Sequence, residues 1–83
     1  MYKNKAETGL NNISGPNIKK YRQALAGKVS QRKLADMLQV EGLDLDKNAV
    51  QKIESGQRFI TDIELKVFAK VLQVSYEDLL NEP

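Results

Sequence analysis

Four polar side chains at helical spacing carry the most specific chemistry in this sequence. Lys47, Asn48, Gln51 and Lys52 recur so that a helix through them presents one outward row of ammonium and amide groups with no bulky apolar member. Side-chain amides pair with adenine or guanine edges and lysine donates to guanine acceptors, so such a row is suited to reading base edges in a major groove. Catalytic chemistry is not expected. The chain has no His and no Cys, so Ser30, Ser55 and Ser75 have no histidine partner with which to act as nucleophiles. Asp62 and Glu64 are accounted for by helix capping, there is no glycine-rich phosphate loop, and no cofactor is implied. Asp44-x-Asp46-x-Asn48 imitates the start of a calcium loop. It fails because Ala49 stands where the sharp turn needs Gly and Ser55 where a bidentate Glu is needed. Asp46 therefore reads as a helix cap and no metal is expected.

Residues 30–58 supply the elements that must position this row. Ser30 caps a first helix, and Leu34, Met37 and Leu38 form its buried stripe at i, i+3 and i+4. Ala35 lies beside the stripe, small enough for a second helix to cross closely. That helix starts at the cap Asp46, points Val50 and Ile53 inward, and ends at Gly56. Residues 40–45 form a long turn whose Leu43 and Leu45 are expected to tuck under it, so the turn is expected to be ordered.

The string Ser30-Gln31-x-x-Leu34-Ala35-x-x-Leu38, followed by Val50-x-x-Ile53-Glu54-Ser55-Gly56-x-Arg58, resembles the helix-turn-helix of the phage Cro and repressor (xenobiotic-response-element) family. The likeness continues through Thr61-Asp62-Ile63-Glu64-Leu65 and Ala69-Lys70-x-Leu72-x-Val74-Ser75, which are similar to that family's fourth and fifth helices. The turn departs from the family's short form, with Glu41-Gly42-Leu43-Asp44-Leu45 read as an insertion. The resemblance implies a compact, all-α, five-helix lambda-repressor-like domain whose helices 2 and 3 form the helix-turn-helix. It implies a phosphate contact from Gln31, with Arg32 beside it, and further backbone contacts from Ser55, Gln57 and Arg58. Lys47, Asn48, Gln51 and Lys52 would read bases, and Arg22 and Glu54 would form an ion pair tying helix 1 to the recognition helix.

Composition agrees with a single small globular domain: 83 residues, 41% hydrophobic and 29% charged. No apolar run approaches the length of a membrane span, and the N-terminus lacks a signal-peptide core, so a cytoplasmic location is expected. Net charge is only +2, but residues 1–60 hold eleven Lys/Arg against six Asp/Glu, and residues 61–83 hold two against five. A basic first portion and an acidic end fit a molecule that meets a polyanion with one side.

Along the remainder, residues 1–13 read as a flexible leader, and 14–83 as the helix-turn-helix domain. Within the leader, Tyr2, Lys3 and Lys5 make a candidate basic arm, weighed against a plain solvated tail. Asn17 is expected to cap helix 1, whose inner face is Ile18, Tyr21 and Leu25 and which runs to about Ala26. Phe59 and Ile60 are expected to plug the core. Thr61 with Glu64 signals a capping box, and helix 4 carries an apolar stripe wide enough for burial on two sides. Helix 5, with Tyr76, Leu79 and Leu80, and the outer face of helix 4 are the expected homodimer seam. The expected function is sequence-specific binding of double-stranded DNA as a dimeric regulator, a repressor on an inverted repeat. The rival reading is an antitoxin or anti-repressor module whose main partner is a protein.

Overall fold

Four side chains set where helices begin. Ser30, Asp46, Thr61 and Ser75 sit in extended backbone, and each accepts a hydrogen bond from the amide three residues on. The distances are 3.0 Å from Lys33, 2.8 Å from Ala49, 3.1 Å from Glu64 and 3.0 Å from Asp78. The Glu64 and Asp78 carboxylates accept in return from the amides of Thr61 and Ser75, closing two capping boxes. The computed structural model describes residues 9–81. Among them the chain forms α1 (Gly15–Ala24), α2 (Gln31–Val40), α3 (Lys47–Glu54), α4 (Asp62–Leu72) and α5 (Tyr76–Leu80), with no strand, as the all-α, five-helix expectation requires.

Helices α2 and α3 pack against each other, and the small side chain of Ala35 on α2 is buried. Leu34 and Leu38 of α2 and Val50 and Ile53 of α3 are fully buried with Ile18 of α1, Phe68 of α4 and Leu79 of α5. All five helices thus contribute to one core, and each such side chain stabilises the fold by about 1.5 to 3 kcal/mol. The long turn between α2 and α3 is anchored in that core. Leu45 is buried, Leu43 packs against the cluster, and the Gln39 side-chain amide donates to the Leu45 carbonyl at 3.1 Å.

Several expectations need correction. Asn17 does not cap α1: the helix already runs from Gly15, and Ser14 precedes it without a side-chain cap bond. Pro16 is acceptable there because first-turn amides have no helical partner. Asn17 Nδ2 donates instead to the carbonyls of Leu79 at 2.9 Å and Asn81 at 2.7 Å, fastening α5 to α1. Helix α1 also ends at Ala24, because Leu25 is extended. Phe59 is not a core plug but 49% exposed, whereas Ile60 packs against the core. On α4, Phe68, Ala69, Val71 and Leu72 are buried, but Ile63 is 71% exposed, so the stripe is not covered along its whole width. The leader is not free throughout. Residues 10–12 pack against the end of α3, and Asn12 is buried. Tyr2, Lys3 and Lys5 lie outside the described residues.

Candidate nucleic-acid interface

Helix α3 is amphipathic over its eight residues, and the burial of Val50 and Ile53 turns its opposite side outward. Lys47, Asn48, Gln51 and Lys52 are all exposed on it. Asp46 fixes where that row starts, by capping the first turn. Gly56 fixes where it stops: with φ +82° it sits in the left-handed region just past the helix, where glycine carries no steric cost.

The residues expected on the phosphate backbone flank this row but differ in freedom. Arg32, Ser55 and Gln57 are exposed, and the Ser55 hydroxyl donates back to the Lys52 carbonyl at 3.1 Å. Gln31 is half-buried, and its amide donates to Glu54 Oε1 at 3.0 Å, which orients the side chain but occupies one of its donors. Arg58 is the most committed. Its guanidinium makes two bonds of 2.9 Å to the two Glu64 oxygens and one of 3.0 Å to the Phe59 carbonyl. The hydrogen bond from Arg58 lowers the Glu64 pKa despite the burial that opposes it, and Glu64 in turn raises that of Arg58. Because the Glu64 pKa is depressed, the pair stabilises the fold above the ordinary carboxylate range. That contribution is lost as pH falls through the folded pKa.

Behind α3 lies a second, buried pair. Arg22 Nε donates to Glu54 Oε2 at 2.7 Å and its terminal nitrogen to Oε1 at 3.0 Å, while a third bond of 2.8 Å reaches the Val29 carbonyl. The side chains are 9% and 2% exposed. Arg22 sits in the last turn of α1 and Glu54 is the last residue of α3, so this bidentate contact joins the two helix ends.

Two features of this surface carry no local signal in the sequence. Glu64 reads as a cap, which it is, but its bonds to Arg58 cross a loop. Asn11 and Asn12 carry no apolar periodicity and read as leader, yet both bond the chain just beyond α3. No group of His, Cys, Asp or Glu among the described residues is arranged to hold a metal ion. No described helix is long and apolar enough to cross a membrane.

A helix-turn-helix family model matches residues 18–79. No curated protein matches the chain by sequence. Among solved structures, the chain is similar to the restriction-modification controller protein C.AhdI from Aeromonas hydrophila. The two share 27% identity with a TM-score of 0.66, over 80% of this chain and 86% of that one. It is also similar to the hypothetical transcription factor NHTF from Neisseria, with 26% identity and a TM-score of 0.73 over 94% of this chain and 82% of that one.

Proposed function

This chain belongs to the Cro/C1-type helix-turn-helix family of DNA-binding regulators, and from that premise we propose that it represses transcription as a dimer bound to an inverted-repeat operator in the cytoplasm. The observation that carries the reading is the exposed row Lys47, Asn48, Gln51 and Lys52 on a helix whose other side is locked into the core. Laid in a major groove, α3 brings Asn48 and Gln51 to adenine or guanine edges and Lys47 to guanine acceptors, with Lys52 serving base or phosphate. Gln31 and Arg32 open α2, where unpaired amides and the helix dipole also favour a phosphate. Ser55, Gln57 and Arg58 meet the backbone at the other end of α3. The chemistry is positional rather than covalent, which fits a family of regulators rather than enzymes.

Dimerisation is supported by the apolar side chains left uncovered on α4 and α5. Ile63, Tyr76 and Leu80 are 71%, 50% and 44% exposed, and they line one groove with Leu65. A contiguous patch of this kind is costly in water, and a twofold axis through it would set it against its own copy. The test is selection from a random-sequence duplex pool. It should enrich an inverted repeat with half-sites about 34 Å apart, or a multiple of that, bound by two chains. A single asymmetric site bound one to one would remove the dimer, and no enriched motif would favour the protein-interaction reading.

Two further outcomes are expected on the enriched duplex. Asn48→Ala or Gln51→Ala should weaken specific binding by about 1 to 3 kcal/mol and relax preference at one base pair per half-site. Unaltered preference in both would remove them from the base-reading face. Arg58 tests the backbone: binding should weaken as salt rises, and Arg58→Ala should flatten the log–log slope by about one unit. Glu64→Gln should raise low-salt affinity, because it removes the carboxylate that competes with the phosphate for Arg58. The slope should change by less than about one unit, since Arg58 already neutralises a phosphate in the parent. Weaker binding by a folded Glu64→Gln variant would mean that Arg58 serves only its carboxylate.

A further inference from the structure

We infer that residues 10–12 form a strap that sets the position of the recognition helix and its exit loop for contact with DNA, with Asn12 as the positioning residue. The inference rests on the DNA-binding reading above, but on residues the family match does not include, since that match begins at residue 18.

The strap takes hold of the carbonyls where α3 ends. Asn12 is 8% exposed, and its Nδ2 donates to the carbonyls of Ile53 at 3.0 Å and Arg58 at 2.7 Å. Its Oδ1 accepts from the Gly15 amide at 2.7 Å. Turning the amide over would set oxygen against two carbonyls and NH2 against an N–H, so only one orientation satisfies all three groups. Asn11 continues the pattern. Its backbone amide donates to the Gly56 carbonyl at 2.8 Å and its side chain to the Gln57 carbonyl at 2.7 Å. Leu10 lies over Gly56, close enough that a methyl group on that glycine would stand 3.0 Å from the leucine side chain.

The carbonyls of residues 53, 56, 57 and 58 therefore all accept from the strap. Helix ends leave such acceptors short of partners: the Ile53 carbonyl also accepts from the Gly56 amide at 3.0 Å, whereas the carbonyls of residues 56–58 have the strap as their partner. The exit loop between α3 and α4 consequently has one favourable placement, the one that faces its carbonyls toward Asn11 and Asn12. That placement turns Ser55 and Gln57 outward, and Asn11 lines the same groove as Asn48, Lys52 and Gln57. Strap, exit loop and reading face are thus mechanically one unit. Contacts to phosphate depend on placement to within a fraction of an ångström, so freeing the loop lowers affinity even in a folded protein.

The test is a thermodynamic cycle in the full chain, using the duplex enriched from a random pool. Dissociation constants are measured for Asn12→Ala, Gln57→Ala and the double variant, each corrected for the folded fraction found from its own unfolding curve. Asn12→Ala should weaken binding about tenfold in the parent chain and much less in the Gln57→Ala background, with base preference unchanged in both. A purely structural role would disappear with the folded-fraction correction. Should Asn12→Ala not fold, Asn11→Ala removes only the bond to the Gln57 carbonyl and should give the same non-additivity on a smaller scale. Equal losses in both backgrounds, or full affinity after correction, would overturn the strap's role while leaving DNA binding intact. If the parent chain enriches no duplex, the DNA-binding reading fails and takes the inference with it.

Discussion

Replacing Arg22 by Met or Glu54 by Leu is each expected to cost about 3 to 5 kcal/mol of unfolding free energy, and replacing both far less than the sum. Both groups are almost wholly buried, and together they form a two-point contact extended by bonds to Val29 and from Gln31. In water each charge is well solvated, so their mutual attraction mostly offsets the cost of burying them, and the intact pair adds modest net stability. Removing one partner changes the balance. Glu54→Leu leaves a guanidinium buried against an apolar side chain, and Arg22→Met leaves a carboxylate with only the Gln31 amide. A domain this small holds on the order of 5 kcal/mol, so either single variant should be near its unfolding threshold at room temperature. The double variant should regain cooperative unfolding. Urea midpoints for the three proteins decide the matter, and simple additivity would mean that the pair contributes nothing as a pair.

Gly15→Ala should destabilise the domain by about 3 kcal/mol or more, at or beyond the upper end of ordinary overpacking. The sign is informative because helix propensity argues the other way: alanine in place of glycine within a helix usually gains about 0.5 to 1 kcal/mol. Sterics win here. A Cβ at Gly15 would collide with the carbonyl oxygen of Ile53, and it would stand 2.9 Å from both the Glu54 carbonyl and Asn12 Oδ1. Two of these three atoms are backbone at the end of α3, itself held by the core and by the Arg22–Glu54 pair, so no flexible side-chain tip can move aside. Relief requires α1 and α3 to separate, which would lengthen the Arg22–Glu54 and Asn12–Ile53 contacts together. A melting temperature equal to or above that of the parent would show that the two helices are farther apart than described.

What the sequence made legible was whatever is decided locally. Ser30, Asp46, Thr61 and Ser75 announce helix starts because a cap bonds only three residues ahead. The inward residues Leu34, Leu38, Val50 and Ile53 follow from helical period, and once they are buried the side of α3 that carries Lys47, Asn48, Gln51 and Lys52 is settled. Long-range pairing was not legible. Asn17 has the chemistry of a cap, but its amide is claimed by carbonyls more than sixty residues away, which no local rule could anticipate. Asn12 looks like tail for the same reason, its partners being Ile53 and Arg58. Arg58 shows a different limit: residue type gives an arginine's charge but not whether a phosphate or Glu64 receives it. Phe59 is exposed despite its apolar character, because residue type does not by itself mean burial and its neighbours in the chain do not decide which way it turns.

The bonds from Asn12 to Ile53 and Arg58 also bear on the order in which the domain opens. They close a ring of more than forty residues, and closing it from an unfolded chain costs loop entropy that two or three hydrogen bonds do not offset. The ring becomes favourable once α1, α2 and α3 have packed, which brings Gly15 against Ile53. Residues 10–12 therefore dock after α1, α2 and α3 have packed and release before those helices separate, at a free energy below that of global unfolding. A ligand that fixes the loop beyond α3 holds the released form in check by mass action. The amides of Asn11 and Gly15 then become reporters of events at the nucleic-acid face, exchanging with solvent more slowly when that face is occupied.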